Sequence, residues 1–287
     1  MIEGLCTGAG LREGVLNLEM RRGDEKLLRP IKVGDSISFA VVSKRSCIGS
    51  RPPGAKSLLP CPHNITDISS SQCPECFEGA KILPCLRCTG ERCANPARRE
   101  DCVQPDNHIV YLAAFSPDLI KVGVARFDRR RERLREQGAV AGLIIARDDG
   151  QQVRRFETSI RKTGIPDRIA PTIKIGALSQ KYEEKDVREL LSQALVHIKG
   201  RLRASWLEDP EYLFFDLPEV RELPPKLIAP HFEMKQRGQV EEVVGQIMII
   251  RSDIGQTIAI EAPSLVGYNL RSLEDNEKAE GQIALLF

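Results

Sequence analysis

Two kinds of apolar pattern organise this chain, and a stretch with neither lies between them. In the first 46 residues apolar and polar positions alternate: residues 15–20 and 36–42 (SISFAVV) predict strands, the second entered through a turn at Gly34-Asp35. From His108 the pattern returns more strongly. Residues 109–115 (IVYLAAF) predict a strand, Ser116-Pro117-Asp118 a turn, and residues 119–125 (LIKVGVA) the returning arm of a hairpin. Residues 128–137 predict a helix stopped by Gly138. A third strand over 140–146 ends at Asp149-Gly150, and a helix over 151–162 carries Val153, Phe156 and Ile160 on its apolar face. The clearest helix spans 184–199, where Val187, Leu190, Leu191, Ala194, Leu195 and Ile198 recur at helical spacing before Gly200. The order is β-β-α-β-α-α. Beyond it, Pro210, Pro218, Pro224, Pro225 and Pro230 mark a connector; residues 240–251, 256–261 and 283–287 then predict strands.

Residues 50–108 lack long periodic apolar runs and are rich in Pro, Cys and Ser, so metal would have to supply their folding energy. Eight of the nine cysteines fall between Cys47 and Cys102, including Cys73-Pro-Glu-Cys76 and Cys85-Leu-Arg-Cys88. Such paired thiolates suit zinc, which takes four ligands in a closed structural site. Eight cysteines predict two Zn²⁺ sites. Chain proximity groups Cys47, Cys61, Cys73 and Cys76 in one and Cys85, Cys88, Cys93 and Cys102 in the other, with His63 as a substitute ligand. Cys6 stands apart as a buried or free thiol. A disulfide framework belongs to secreted chains, whereas MIEGLCTGAGL has neither a basic n-region nor an apolar h-region. The longest nearly uninterrupted apolar stretch, 139–146, is far short of a membrane span. A cytoplasmic location and no membrane partner are the expectation.

Charge changes this picture once it is located. The chain is +2 overall, yet residues 208–287 carry 15 acidic and 7 basic side chains, which leaves the remainder at +10. Seven Lys or Arg lie in 121–135, against Asp128 and Glu132. Arg126, Arg129, Arg130, Arg131 and Arg135 are therefore candidate contacts to the phosphates of DNA or RNA, the alternative being a solvated helix face. The acidic C-terminal segment is a candidate dock for a protein partner. The absence of a P-loop, a Rossmann fingerprint, an HExxH pair and a serine nucleophile elbow argues against nucleotide-driven and acyl-transfer chemistry.

Four polar residues fall at notable places in the β-β-α-β-α-α segment: Tyr111 in its first strand, Lys121 in its second, Arg133 and Glu157 on successive helices. Ile109-Val110-Tyr111, then Lys121-Val122-Gly123, then Arg133 and Glu157 resemble, in order and spacing, the GIY-YIG nuclease superfamily. The resemblance implies a metal-dependent endonuclease hydrolysing phosphodiester bonds. Glu157 would hold Mg²⁺ or Mn²⁺, Arg133 would steady the phosphate, and Tyr111 would assist proton transfer. Lys121 stands where the second motif has a tyrosine, and the late asparagine of that superfamily has no counterpart. Each residue also has a plainer role: Tyr111 as a packed aromatic, Lys121 snorkelling at a sheet edge, Glu157 paired with Arg161. A wider resemblance rests on QCPECF, His108-Ile-Val-Tyr-Leu-Ala113, KVGVAR and RLREQGA. These strings are similar to a prokaryotic family known as a domain of unknown function, which joins cysteine-rich segments to such a core.

The expected fold is α+β in four parts: an N-terminal β region (1–46), a cysteine-rich two-zinc module (47–107), a GIY-YIG-like core (108–200), and a linker with a β-rich C-terminal segment (201–287). The expected function is zinc-containing nucleic-acid binding with metal-dependent cleavage. The alternatives are an inactive DNA- or RNA-binding module and a zinc-stabilised protein-interaction scaffold.

Overall fold

A computed structural model of the chain describes residues 3–80, 85, 87–93, 95–96, 99–203, 206–218, 220–277 and 279; the strand expected over 283–287 lies outside them. In chain order the described strands are β1 Gly4–Arg12, β2 Val15–Arg22, β3 Glu25–Ile31, β4 Ser36–Val41, β5 His108–Ser116, β6 Leu119–Arg126 and β7 Ala141–Asp148. They continue with β8 Glu211–Phe214, β9 Lys226–Leu227, β10 Lys235–Val244, β11 Ile247–Ser252, β12 Thr257–Glu261 and β13 Asn269–Arg271. The described helices are α1 Pro74–Gly79, α2 Arg99–Cys102, α3 Arg130–Glu136, α4 Gly150–Arg161, α5 Pro171–Gly176 and α6 Glu184–Lys199. The fold is mixed α+β, divided into two units: residues 1–83 with 225–287, and residues 84–224.

The first unit holds a nine-stranded sheet in the order β3-β2-β1-β13-β4-β10-β11-β12-β9. Alternating residues supply one face: Leu16, Leu18 and Met20 from β2, Ile37, Phe39 and Val41 from β4, Met248 and Ile250 from β11, and Ile258 and Ile260 from β12 pack into one core. This is the period-2 signal that predicted β2 and β4. The tail corrects one expectation. Residues 240–251 form no single strand but two, because the chain turns at Gly245, whose φ of 62° suits glycine, and Val244 pairs back to Ile247. Apolar runs on both sides of that turn hid it.

In the second unit an antiparallel four-stranded sheet has the order β6-β5-β7-β8. On one face Val110, Leu112, Ala114, Leu143 and Ile145 lie under Val153 and Ile160 of α4 and Val187, Leu191 and Ile198 of α6. On the other, Ile109, Tyr111, Ala113 and Phe115 meet Leu134 of α3 and Leu213 of β8. Because strand side chains alternate, Tyr111 is fixed on the α3 face. Asp149 starts α4 by accepting from the amides of Gln151 and Gln152, both at 2.8 Å. Trp206 meets Phe156 edge to face at 5.7 Å, holding the outer side of α4.

Candidate functional site

The first cysteine group is built by a loop and a helix start. Cys47 follows β4, Cys61 lies on the next loop, and Cys73 and Cys76 bracket the first turn of α1, whose opening position is Pro74. All four are buried thiols, and their sulfurs lie within 4.8 Å of one another. A tetrahedron with arms of about 2.3 Å has edges of about 3.8 Å, so zinc needs only a slight contraction of this cluster. Cys47 Sγ accepts backbone hydrogen bonds from Gly49 at 3.4 Å and Cys73 at 3.2 Å. Burial pushes the Cys47 and Cys76 thiols up. It also opposes ionisation of Cys61, yet the amides of Ile65 and His63 and two neighbouring thiols bring that group down to about 6. Such a cluster accepts one negative charge readily and the next with difficulty; a divalent cation is what lets all four ionise. His63 is exposed with Nε2 2.8 Å from Glu75, outside the sulfur group.

A second set of functional groups gathers around Tyr111. Its ring crosses β6 above Gly123: a Cβ on that residue would stand 2.4 Å from the phenolic oxygen and 2.5 Å from Cζ. Only glycine leaves that space. The phenol oxygen accepts from Gln137 Nε2 at 2.7 Å, and burial pushes the group up, against the opposing influence of Gln137 and Arg133. Lys121, two residues from Gly123 along β6 and so on the same face, donates to the Asp167 carbonyl at 3.2 Å. Burial, followed by the positive charge of Arg133, brings its ammonium down to about 8. Glu157 arrives from α4, which packs against β5 and β6. Burial pushes its carboxyl up and Asp167 adds to the shift, while Arg154 and Lys121 oppose it. Tyr111 and Lys121 thus each lie within electrostatic reach of both Arg133 and Glu157, although α3 and α4 cover opposite faces of the sheet.

The expected pairing of Glu157 with Arg161 does not form. Arg154 holds Glu157 at 3.3 Å, while Arg161 turns to Asp167 at 3.4 Å in the loop after the helix. Gln137, Arg154 and Asp167 were not anticipated as neighbours. Gln137 stands four residues after Arg133, a helical spacing that offered a signal; Asp167 lies in a loop with none.

The family-level comparison covers this whole region: residues 34–270 match the sequence model described as "Protein of unknown function (DUF2797)". The chain belongs to that family. No curated protein and no solved structure matches it. In this DUF2797 member the match takes in both the four-sulfur cluster and the Tyr111 corner.

The arginine-rich segment of the DUF2797 chain is largely occupied with itself. Arg126 pairs with Asp128 at 3.2 Å, Arg129 with Glu132 at 2.9 Å and Glu136 at 2.6 Å, and Arg130 with Glu211 at 2.9 Å. Arg135 lies over the Phe215 ring, and Arg133 reaches Glu136 at 3.2 Å. Arg131 is exposed on α3. The Arg126–Asp128 and Arg129–Glu132 pairs are solvent-accessible ones, worth about 0–1 kcal/mol each, which a phosphate can displace, whereas Glu136 is largely covered and Arg130 half-buried. Residues 108–200 still carry 18 Lys or Arg against 12 Asp or Glu.

Of the remaining five cysteines, Cys6 is a buried thiol of the first unit, and Cys85, Cys88, Cys93 and Cys102 lie in the second. Burial pushes the Cys102 thiol up, and the charges of Cys88, Asp149, Cys93 and Cys85 add to the shift; among the described residues, however, only the Cys47 group brings its ligand atoms within 4.8 Å of one another. Among the described residues no helix is long and apolar enough to cross a membrane.

Proposed function

We propose that the unit of residues 84–224 binds nucleic acid and hydrolyses its phosphodiester bonds with the help of a divalent cation. What supports the reading is the convergence of Tyr111, Lys121, Arg133 and Glu157, a set drawn from two strands and two helices. Glu157 fits a cation because a carboxyl pressed by burial and by Asp167 gains most from a positive partner. Bound there, Mg²⁺ or Mn²⁺ would polarise the phosphoryl oxygen. Lys121 near pKa 8 takes the proton of the attacking water, since an amine tuned close to working pH is an effective base. Tyr111 stays protonated and donates its phenolic hydrogen towards the phosphate, while Gln137 fixes the oxygen from the other side. Arg133, on the exposed face of α3, contacts the phosphate charge.

A second reading, binding without cleavage, has its own observation: Arg154 already engages Glu157 at 3.3 Å. One assay separates the two. Panels of DNA and RNA are incubated with the full chain and Mg²⁺ or Mn²⁺, and cutting and binding are scored together. Cleavage abolished by Glu157→Ala, with binding kept and weakening steeply in salt, supports the proposal. Binding without cutting in the wild type selects the second reading. Neither binding nor cutting on any panel sinks both.

A further inference from the structure

The helix that carries Glu157 is gripped from two points by the second cysteine segment. Arg155 Nε donates to the Gly90 carbonyl at 2.7 Å and Nη2 to that of Glu91 at 3.5 Å, while Thr158 Oγ1 donates to Thr89 O at 3.4 Å. The loop lies so close to α4 that a Cβ at Gly90, whose φ is +83°, would stand 2.2 Å from Gln151 O and 2.7 Å from Arg155 N. At the start of the helix, a Cβ at Gly150 would stand 2.8 Å from Cys102 Sγ and 2.9 Å from Cys102 O. Sulfur from one end of the segment and backbone from its middle therefore meet the same helix.

The sulfurs themselves collect donors. Cys88 Sγ accepts from the Gly90 amide at 3.4 Å, and Cys85 Sγ accepts from the buried Asn95 side chain at 3.2 Å. Amide donors aimed at sulfur favour the thiolate, and they are the outer partners that orient metal-bound cysteines. The Gly90 bond to Cys88 repeats, two residues after the sulfur, the Gly49 bond to Cys47 in the first cluster.

We infer that Cys85, Cys88, Cys93 and Cys102 hold a second zinc ion, and that this centre positions α4. Four thiolates around one Zn²⁺ leave about −2 of charge. Cys102 brings that charge to the N-terminus of a 12-residue helix, where the peptide dipole favours it. With every coordination position taken by sulfur the ion has no site for substrate. Its work is mechanical: it closes the loop that fastens Gln151, Arg155 and Thr158, and so holds the register in which Glu157 reaches Lys121 and Tyr111. The existence of the ion is independent of the hydrolase reading; the value of holding Glu157 rests on it.

Zinc content of the full chain, read with amide hydrogen exchange, tests both halves. About two zinc per chain are expected in the wild type and about one after Cys88→Ser. The same variant speeds exchange of residues 153–160 by about tenfold or more. Cys61→Ser, in the other cluster, also loses one zinc but leaves that exchange unchanged. If Cys88→Ser does not fold, staged removal of zinc from the wild type with a chelator gives the same comparison. One zinc in the wild type, no loss of zinc in Cys88→Ser, or unaltered exchange over 153–160 overturns the inference. A chain that holds two zinc but neither binds nor cuts nucleic acid refutes the function and leaves the zinc centre standing.

Discussion

Lys121 is held where its charge is least welcome, and that has measurable effects in two directions. Its ammonium sits at about 8 rather than 10.5, because burial and Arg133 outweigh Glu157 and Asp167. Below pH 8 folded and unfolded chains both carry the proton, so the folded state bears the full cost. Between about 8 and 10.5 only the unfolded chain keeps it, and stability gains as pH rises. Lys121→Met is expected to stabilise the protein by about 1–2 kcal/mol in urea unfolding at pH 7, a difference that shrinks towards pH 10. Cleavage should rise with pH through a midpoint near 8 and level off about one unit higher in the wild type, whereas Lys121→Arg, which keeps its proton, should lose it; a pH-independent rate would dismiss Lys121 as the base. Gly123→Ala places a methyl where the Tyr111 ring lies, and a cost of about 1–3 kcal/mol in thermal or denaturant unfolding is expected. Adding Tyr111→Ala should recover part of that clash in a double-mutant cycle. That Tyr111 and Lys121 lie on successive strands and Arg133 and Glu157 on separate helices was legible in sequence from chain order and periodicity. Their partners were not, since Asp167 and Arg154 enter through loop path and helix rotation, which spacing alone does not determine.

Elements differ in how plainly the chain announced them. The α6 helix was read to its ends because six apolar residues repeat on one face and Gly200 follows. The β5–β6 hairpin was equally plain. By contrast β1 contains Gly4, Gly8 and Gly10, and β3 is a charged strand at the sheet edge with Leu27 and Leu28 exposed, so neither carried a clean alternation. β8 was hidden among prolines and gains its place by pairing with β7, a contact between residues some 70 apart in sequence. In the loop-and-helix segment around Cys47 and α1, the one hydrophobic residue packed against the four cysteines, among the described residues, is Ile68. Cys61→Ser is therefore expected to raise amide exchange across 47–80 and to lower the first thermal transition, while the β5–β7 strands keep their protection. Unchanged exchange over 47–80 would mean that the sulfurs do not hold this segment.

At the scale of the whole molecule, every residue of the nucleic-acid reading lies in the unit 84–224, which carries 25 Lys or Arg against 22 Asp or Glu, whereas the other unit carries 17 against 18. That separation lets the nucleic-acid reading be tested on a part. Residues 84–224 expressed alone should fold, retain any cleavage and bind with a salt slope no smaller than that of the full chain; a fragment that is unfolded or inert while the full chain works would contradict this division. The pairing of β13 with both β1 and β4 also sets an order of events during synthesis. The central neighbours of β4 are β13 and β10, which emerge from the ribosome more than 190 residues after it. The chain's first strands must wait, edges unpaired, while the whole inserted unit is made and can fold behind them. The charged β3 at one edge and early capture of zinc by Cys47, Cys61, Cys73 and Cys76 would shelter that waiting half-sheet from pairing with another nascent chain.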